Sequence, residues 1–192
     1  MPQDARILLV PGSTRAGSTN TATLRTAPAL TVPGVSTTLY DALRELPAFD
    51  PDQVDEPPPP VVALRAALAD ADAVLFCTPE YAGTLPGSFK NLLDWTVGNG
   101  DLYGRPVAWV TVAAPGRGAG AEQTLRMVLG YLGADIVEPA CVRLPVPRAG
   151  VGPDGLLADA ELRAGLADVL GHLGAHVARA AVVPASGPPA RP

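Results

Sequence analysis

Short apolar runs alternate with stretches of helical spacing along this chain, a pattern that predicts strands each leading into a helix. The first run, Ile7-Leu8-Leu9-Val10, is continuous, which suits a strand buried on both faces of a parallel sheet. A helix-compatible stretch follows from Thr21 to Leu30. Val35 to Tyr40 alternates apolar and polar positions and predicts a second, more exposed strand. A helix over Val61 to Ala69 leads to a third strand, Asp72 to Cys77, and another helix carries Phe89, Leu92, Leu93 and Thr96 at helical spacing. The β-branched run Val107-Ala108-Trp109-Val110-Thr111-Val112 predicts a fourth buried strand within Pro106 to Ala113. Ala121 to Leu132 forms a helix with Leu125, Val128, Leu129 and Leu132 on one stripe. A fifth strand takes in Ile136 and Val137, while Cys141 to Leu144 continues the sheet edge or pairs elsewhere after Pro139. The last helix, Asp159 to Ala180, aligns Leu162, Leu166, Val169, Leu173 and Val177 despite three interior glycines. Strands alternating with helices imply an α/β fold, a doubly wound five-stranded parallel sheet with helices on both faces.

Composition narrows the function classes. With 192 residues and 47% hydrophobic content the chain is expected to form a single domain over residues 1–183, with the proline-rich residues 184–192 as a disordered tail. The formal net charge of -5 excludes the basic footprint of a nucleic-acid binder. The start of the chain lacks the apolar run of a signal peptide, and no stretch approaches the roughly 20 apolar residues of a spanning helix, so the expected protein is soluble and cytoplasmic with no membrane partner. Cys77 and Cys141 sit in apolar runs and read as small buried hydrophobes. His172 and His176 are four apart on a helix, but no third histidine or acidic residue completes a ligand set, so no metal site is expected. The run Pro57-Pro58-Pro59-Pro60 reads as a stiff connector ahead of a helix.

The candidate chemistry lies in the loops that follow the strands. Pro11-Gly12-Ser13-Thr14-Arg15-Ala16-Gly17-Ser18-Thr19-Asn20 joins the first strand to a helix whose first N–H groups lack partners, which makes it an anion site. Ser13, Ser18, Thr19 and Asn20 add donors, and Arg15 adds a charge with a fork matched to phosphate oxygens. An ordinary strand-to-helix loop with a hydroxyl cap gives the same composition. Gly12 and Gly17 have the spacing of a nucleotide P-loop, but the required lysine is missing and Lys90 is the one lysine in the chain. The Gly-x-Gly-x-x-Gly fingerprint of dinucleotide folds is absent after the first strand. After the third strand comes Cys77-Thr78-Pro79-Glu80-Tyr81-Ala82-Gly83-Thr84-Leu85-Pro86-Gly87, and after the fourth Ala114-Pro115-Gly116-Arg117-Gly118-Ala119-Gly120. Strands one and three flank the switch point of a doubly wound sheet, so the first two loops are expected to share one crevice.

Two motifs carry a family resemblance over roughly Ile7 to Leu132. Gly12, Ser13, Arg15, Ser18 and Asn20 match a Gly-Ser-x-Arg-x-x-Ser-x-Asn pattern, and Pro79-Glu80-Tyr81, Pro86-Gly87, Lys90-Asn91 and Asp94-Trp95 match a second pattern of the NAD(P)H-dependent FMN reductases. This resemblance implies a flavodoxin-like fold with strand order 2-1-3-4-5, noncovalent FMN, and NADH or NADPH as electron donor. It implies that Gly12, Ser13, Arg15, Ser18 and Asn20 hold the FMN phosphate, with Thr19 beside them as a further donor, and that Pro79, Glu80, Tyr81, Ala82, Gly83 and Thr84, with Gly116 and Gly118, line the ring. Ala82 stands where the family has asparagine, and Thr84 is expected to offer a hydroxyl in compensation. FMN carries the chemistry, so no catalytic side chain is expected. The implied reaction passes reducing equivalents to a small acceptor: a quinone, azo compound, flavin or metal oxyanion. Family members imply a homodimer or homotetramer. A flavodoxin-type electron carrier and a flavin-free binding protein on the same fold are the alternatives.

Overall fold

A computed structural model describes residues 4–182. The expected disordered tail, 184–192, lies outside the described residues. The chain order is β1 (Ala5–Pro11), α1 (Thr19–Thr26), β2 (Val35–Leu39), α2 (Pro59–Ala69), β3 (Ala73–Cys77), α3 (Gly87–Trp95), β4 (Pro106–Thr111), α4 (Ala119–Tyr131), β5 (Asp135–Ile136), β6 (Val142–Arg143) and α5 (Ala160–Val182). The strands are parallel in the order β2-β1-β3-β4-β5, with β6 also on β4.

Alternation along the buried strands assigns each side chain to one of two cores. Leu8, Val10, Val74, Phe76, Val107 and Trp109 face α2, α3 and α4. Ile7, Leu9, Ala73, Leu75, Ala108 and Val110 face α1 and α5. Both faces are covered, so the strand runs are continuously apolar. At roughly 25 cal/mol per Å² of apolar surface removed from water, this double burial is the main stabilising contribution.

Of the two outcomes expected after Pro139, the chain takes the first and continues the sheet edge beside β4. Val137 donates to the Val107 carbonyl, the chain then leaves in a tight turn over Glu138–Ala140, and pairing with β4 resumes at Val110↔Val142. Pro139 has no N–H to give a ladder, so the position beside β4 is filled in two pieces and the sheet has six strands rather than five. Proline shapes two helices as well. α1 closes at Thr26 with one tight turn through Pro28, and α2 begins inside the proline run at Pro59, where the first turn needs no N–H donor. Cys77 is fully buried, whereas Cys141 is only half-buried. Among the described residues no helix is long and apolar enough to cross a membrane.

The matched residues of α3 serve its anchorage. Asn91 accepts from the Phe49 N–H (2.7 Å) and donates to the Pro47 carbonyl (2.8 Å), which also accepts from Trp95 Nε1 (2.9 Å). Trp95 is fully buried with the Phe49 ring edge-on at 5.0 Å. Lys90 pairs with Asp94 one turn along the helix. These contacts fix the helix that the second loop enters.

Candidate functional site

Neighbouring strands β1 and β3 end together, Pro11 beside Cys77, and the Gly12 N–H donates to the Cys77 carbonyl at 2.8 Å. The chain after β1 then turns to one face of the sheet and the chain after β3 to the other, which opens a crevice at their carboxyl edge. Gly12 permits this approach: a Cβ there would lie 2.6 Å from Thr78 Cβ and 2.9 Å from the Phe89 ring.

The first loop leaves its polar groups free. Ser18 occupies the N-cap position of α1 with extended backbone, yet its hydroxyl makes no capping bond. The first-turn N–H groups of α1 therefore have no side-chain cap, and the ordinary capped-loop reading does not hold. Ser13 Oγ accepts only a long bond from the Arg15 N–H, 3.3 Å. Arg15 is exposed, and Gly17 takes a positive φ of 66° to turn the chain into the helix. Asn20 is buried, with its Oδ1 accepting from Cys77 Sγ at 3.4 Å. Burial pushes the Cys77 thiol well above its ordinary range, so it stays a neutral donor beneath the loop.

The second loop binds itself instead. Tyr81 and Thr84 exchange backbone bonds of 3.0 and 3.1 Å across a two-residue turn, in which Ala82 has φ 51° and Gly83 φ 76°. Such a turn needs positive φ at both corners, where glycine and asparagine are favoured. The Thr84 hydroxyl meets that of Thr124 at 2.9 Å, so it is engaged with α4. Glu80 Oε2 accepts from the N–H groups of Gly120 (2.8 Å) and Ala121 (3.2 Å), placing a carboxylate on the α4 N-terminus. Gly118, at φ 88°, brings no capping side chain of its own. Gly120 packs so close that a Cβ would fall 2.0 Å from the Gly83 carbonyl oxygen.

Between the loops lies a cavity of about 450 Å³. Ser13, Arg15, Ser18, Thr19 and Asn20 line it from the first loop, Pro79, Glu80 and Tyr81 from the second, and Gly118 from the third. Ala82, Gly83, Thr84 and Gly116 lie off its wall. Two lining arginines, Arg117 and Arg148, were not among the sequence candidates. Arg117 belongs to the third glycine-rich loop, where its position was the available signal. Arg148 enters only because β6 returns to β4 and carries the following chain to this edge.

Charge is distributed in a revealing way. Arg6, Arg65, Arg105, Arg126, Arg143 and Arg163 each hold a carboxylate or a backbone carbonyl. Among the described residues no hydrogen bond or ion pair engages the guanidinium of Arg15, Arg117 or Arg148. Free forked cations converge on a pocket in a chain whose net charge is -5, the arrangement expected for a phosphate-bearing ligand.

Comparison with known proteins agrees with this geometry. The family model for NADPH-dependent FMN reductase matches residues 5–145. An NAD(P)H-dependent FMN reductase of Pseudomonas aeruginosa is 36% identical over 136 residues, 69% of this chain and 73% of that protein. A quinone reductase of Escherichia coli strain K12 is 31% identical over 143 residues, 71% of this chain and 76% of that one. Among solved structures, FerB, a flavoenzyme NAD(P)H:(acceptor) oxidoreductase from Paracoccus denitrificans, superposes with a TM-score of 0.72 at 22% identity, covering 91% of this chain and 98% of that one. The sheet order, the crevice and the family match together assign this chain to the NADPH-dependent FMN reductase family of oxidoreductases.

Proposed function

We propose that the crevice holds FMN, its phosphate on the first loop and its ring between the second and third, and that the chain passes reducing equivalents from NADH or NADPH to a small acceptor. The observation that carries this reading is the uncapped N-terminus of α1 beside an unpartnered Arg15. A phosphate there accepts backbone N–H groups and the hydroxyls of Ser13 and Ser18 while pairing with Arg15. A cavity of about 450 Å³ falls in the usual range for cofactor sites, and Ala113, Ala114 and Gly118 present small residues on part of its wall. The residues present thus fit the group. When bound, FMN supplies the hydride and electron transfer.

The chain's own part is to bind, orient and expose. Backbone at Pro79 to Tyr81 borders the ring, and Glu80, through α4, holds that backbone against the third loop. Tyr81 is half exposed and lines the cavity, which puts it within reach of both flavin and incoming substrate. Relatives named for quinone and azo substrates support a quinone or azo compound as acceptor, with flavins and metal oxyanions alongside. A homodimer or homotetramer is part of the same reading, supported by the exposed apolar side chains Tyr103, Met127 and Tyr131 on and beside α4.

The test is to add FMN to the purified chain, desalt it, and follow NADH and NADPH oxidation with a quinone and with an azo dye. Retained flavin and turnover without an added reductase are expected. Retained flavin with turnover only through a reductase would make the chain an electron carrier, and no retained flavin would overturn the reading.

A further inference from the structure

A second cavity of about 340 Å³ adjoins the first and shares Ser13, Arg15, Gly17 and Ser18 with it. It lies on the β2 side of the first loop, between α1 and the turn after β2. Two arginines reach it from separate elements, Arg25 from α1 and Arg44 from the turn over Leu43–Glu45. Neither guanidinium has a hydrogen bond or ion pair among the described residues. Among the described residues six arginines are unengaged: these two with Arg15, Arg117 and Arg148 line one or both of the two cavities, and the sixth, Arg179, stands near the end of α5. The phosphate of FMN accounts for Arg15. Nothing in that role uses Arg25 or Arg44.

Resting on the FMN reading above, we propose that this second cavity receives the adenosine end of NADPH, with its 2′-phosphate between Arg25 and Arg44, and so selects NADPH over NADH. The two donors differ by one phosphate monoester, a dianion at neutral pH that two guanidinium forks can hold. The rest of the wall suits a nucleoside more than a bare anion. Leu43 and Val151 give apolar surface, and Asp41, the one carboxylate in the lining, accepts the hydroxyl or amine hydrogens a nucleoside carries. A donor whose nicotinamide lies over the flavin ring in the first cavity would run back past the shared loop to reach it.

The experiment titrates the full chain, loaded with FMN, calorimetrically with 2′,5′-ADP and with 5′-AMP. Wild type is expected to bind 2′,5′-ADP at least about tenfold more tightly, one charge-assisted contact being worth about that factor. Arg25→Ala and Arg44→Ala each weaken 2′,5′-ADP about tenfold and 5′-AMP far less, and the NADPH-to-NADH ratio of kcat/KM falls in parallel. Lysine at either position restores part of the preference, and thermal melts confirm folding. Equal affinity for the two nucleotides in wild type, or equal losses for both in the variants, overturns the proposal. Flavin retention is read on the same sample. A chain that fails to retain FMN sinks the proposed function, and the same titration of the apoprotein then decides the nucleotide cavity by itself.

Discussion

The loop after β1 and the loop after β3 meet at one crevice, yet they treat their polar groups in opposite ways. The first leaves a helix N-terminus uncapped, a serine at the cap position without a capping bond, and an arginine with no anion. The second closes a hairpin on itself and joins α4 through Glu80 and Thr84. Unsatisfied donors held in place mark where a ligand completes the structure; satisfied ones mark the frame that holds the ligand's surroundings rigid. Two motifs equally clear in sequence therefore do different work.

The largest expected effect falls on the frame. Gly120→Ala sets a methyl against the Gly83 carbonyl, which is backbone and cannot rotate away, so the second loop and α4 must part. A loss of about 2 kcal/mol or more is expected in urea unfolding, in the range for overpacked sites. Gly17→Ala in the first loop meets open space and bears only the strain of its positive φ, about 1 kcal/mol. Equal losses at the two glycines would erase the contrast.

Glu80→Ala removes the carboxylate from the α4 N-terminus and should cost about 1 kcal/mol, the usual value of a cap. Hydrogen exchange at the Gly120 and Ala121 amides is the direct readout. Protection unchanged from wild type would show that Glu80 does not cap α4.

Ala82→Asn should stabilise the chain by a few tenths to about 1 kcal/mol, because asparagine tolerates the positive φ that alanine bears here under strain. With position 82 off the cavity wall, FMN affinity should stay within about twofold of wild type, well under 1 kcal/mol. A marked gain in flavin affinity would return that side chain to the binding surface.

The smallest effect concerns the thiols. Burial raises Cys77 above its ordinary 9.0 and pushes Cys141 up to about 11. A thiol whose folded pKa is raised contributes stability that is complete below its unfolded pKa and declines as pH rises from about 9. Native protein at pH 8 should resist iodoacetamide at Cys77 while urea-unfolded protein reacts. Rapid native labelling at Cys77 would contradict the packing beneath the first loop.

Much of the fold was legible because β1, β3 and β4 are buried on both faces, so their apolar runs are unbroken and their loops stand out. The split of the last strand was half legible: Pro139 signalled a break, but the return of Val142 to β4 is a long-range pairing with no local signal. The first loop read well because its donors and its turn are local. The second role of Glu80 was not legible, because nothing nearby reveals that the Gly120 N–H, forty residues on, donates to its carboxylate. Arg25, Arg44 and Arg148 carry no local signal for the same reason. Their meaning lies in which carboxylates they do not meet.

The most direct measurement compares the affinities of FMN and riboflavin for wild type and for Arg15→Ala. The two ligands differ only in the phosphate. Wild type should favour FMN by about a hundredfold, roughly 3 kcal/mol across one charge pair and its backbone donors, and Arg15→Ala should shrink that gap at least tenfold without lowering stability. Equal binding of FMN and riboflavin by wild type would contradict the assignment of the first loop to a phosphate.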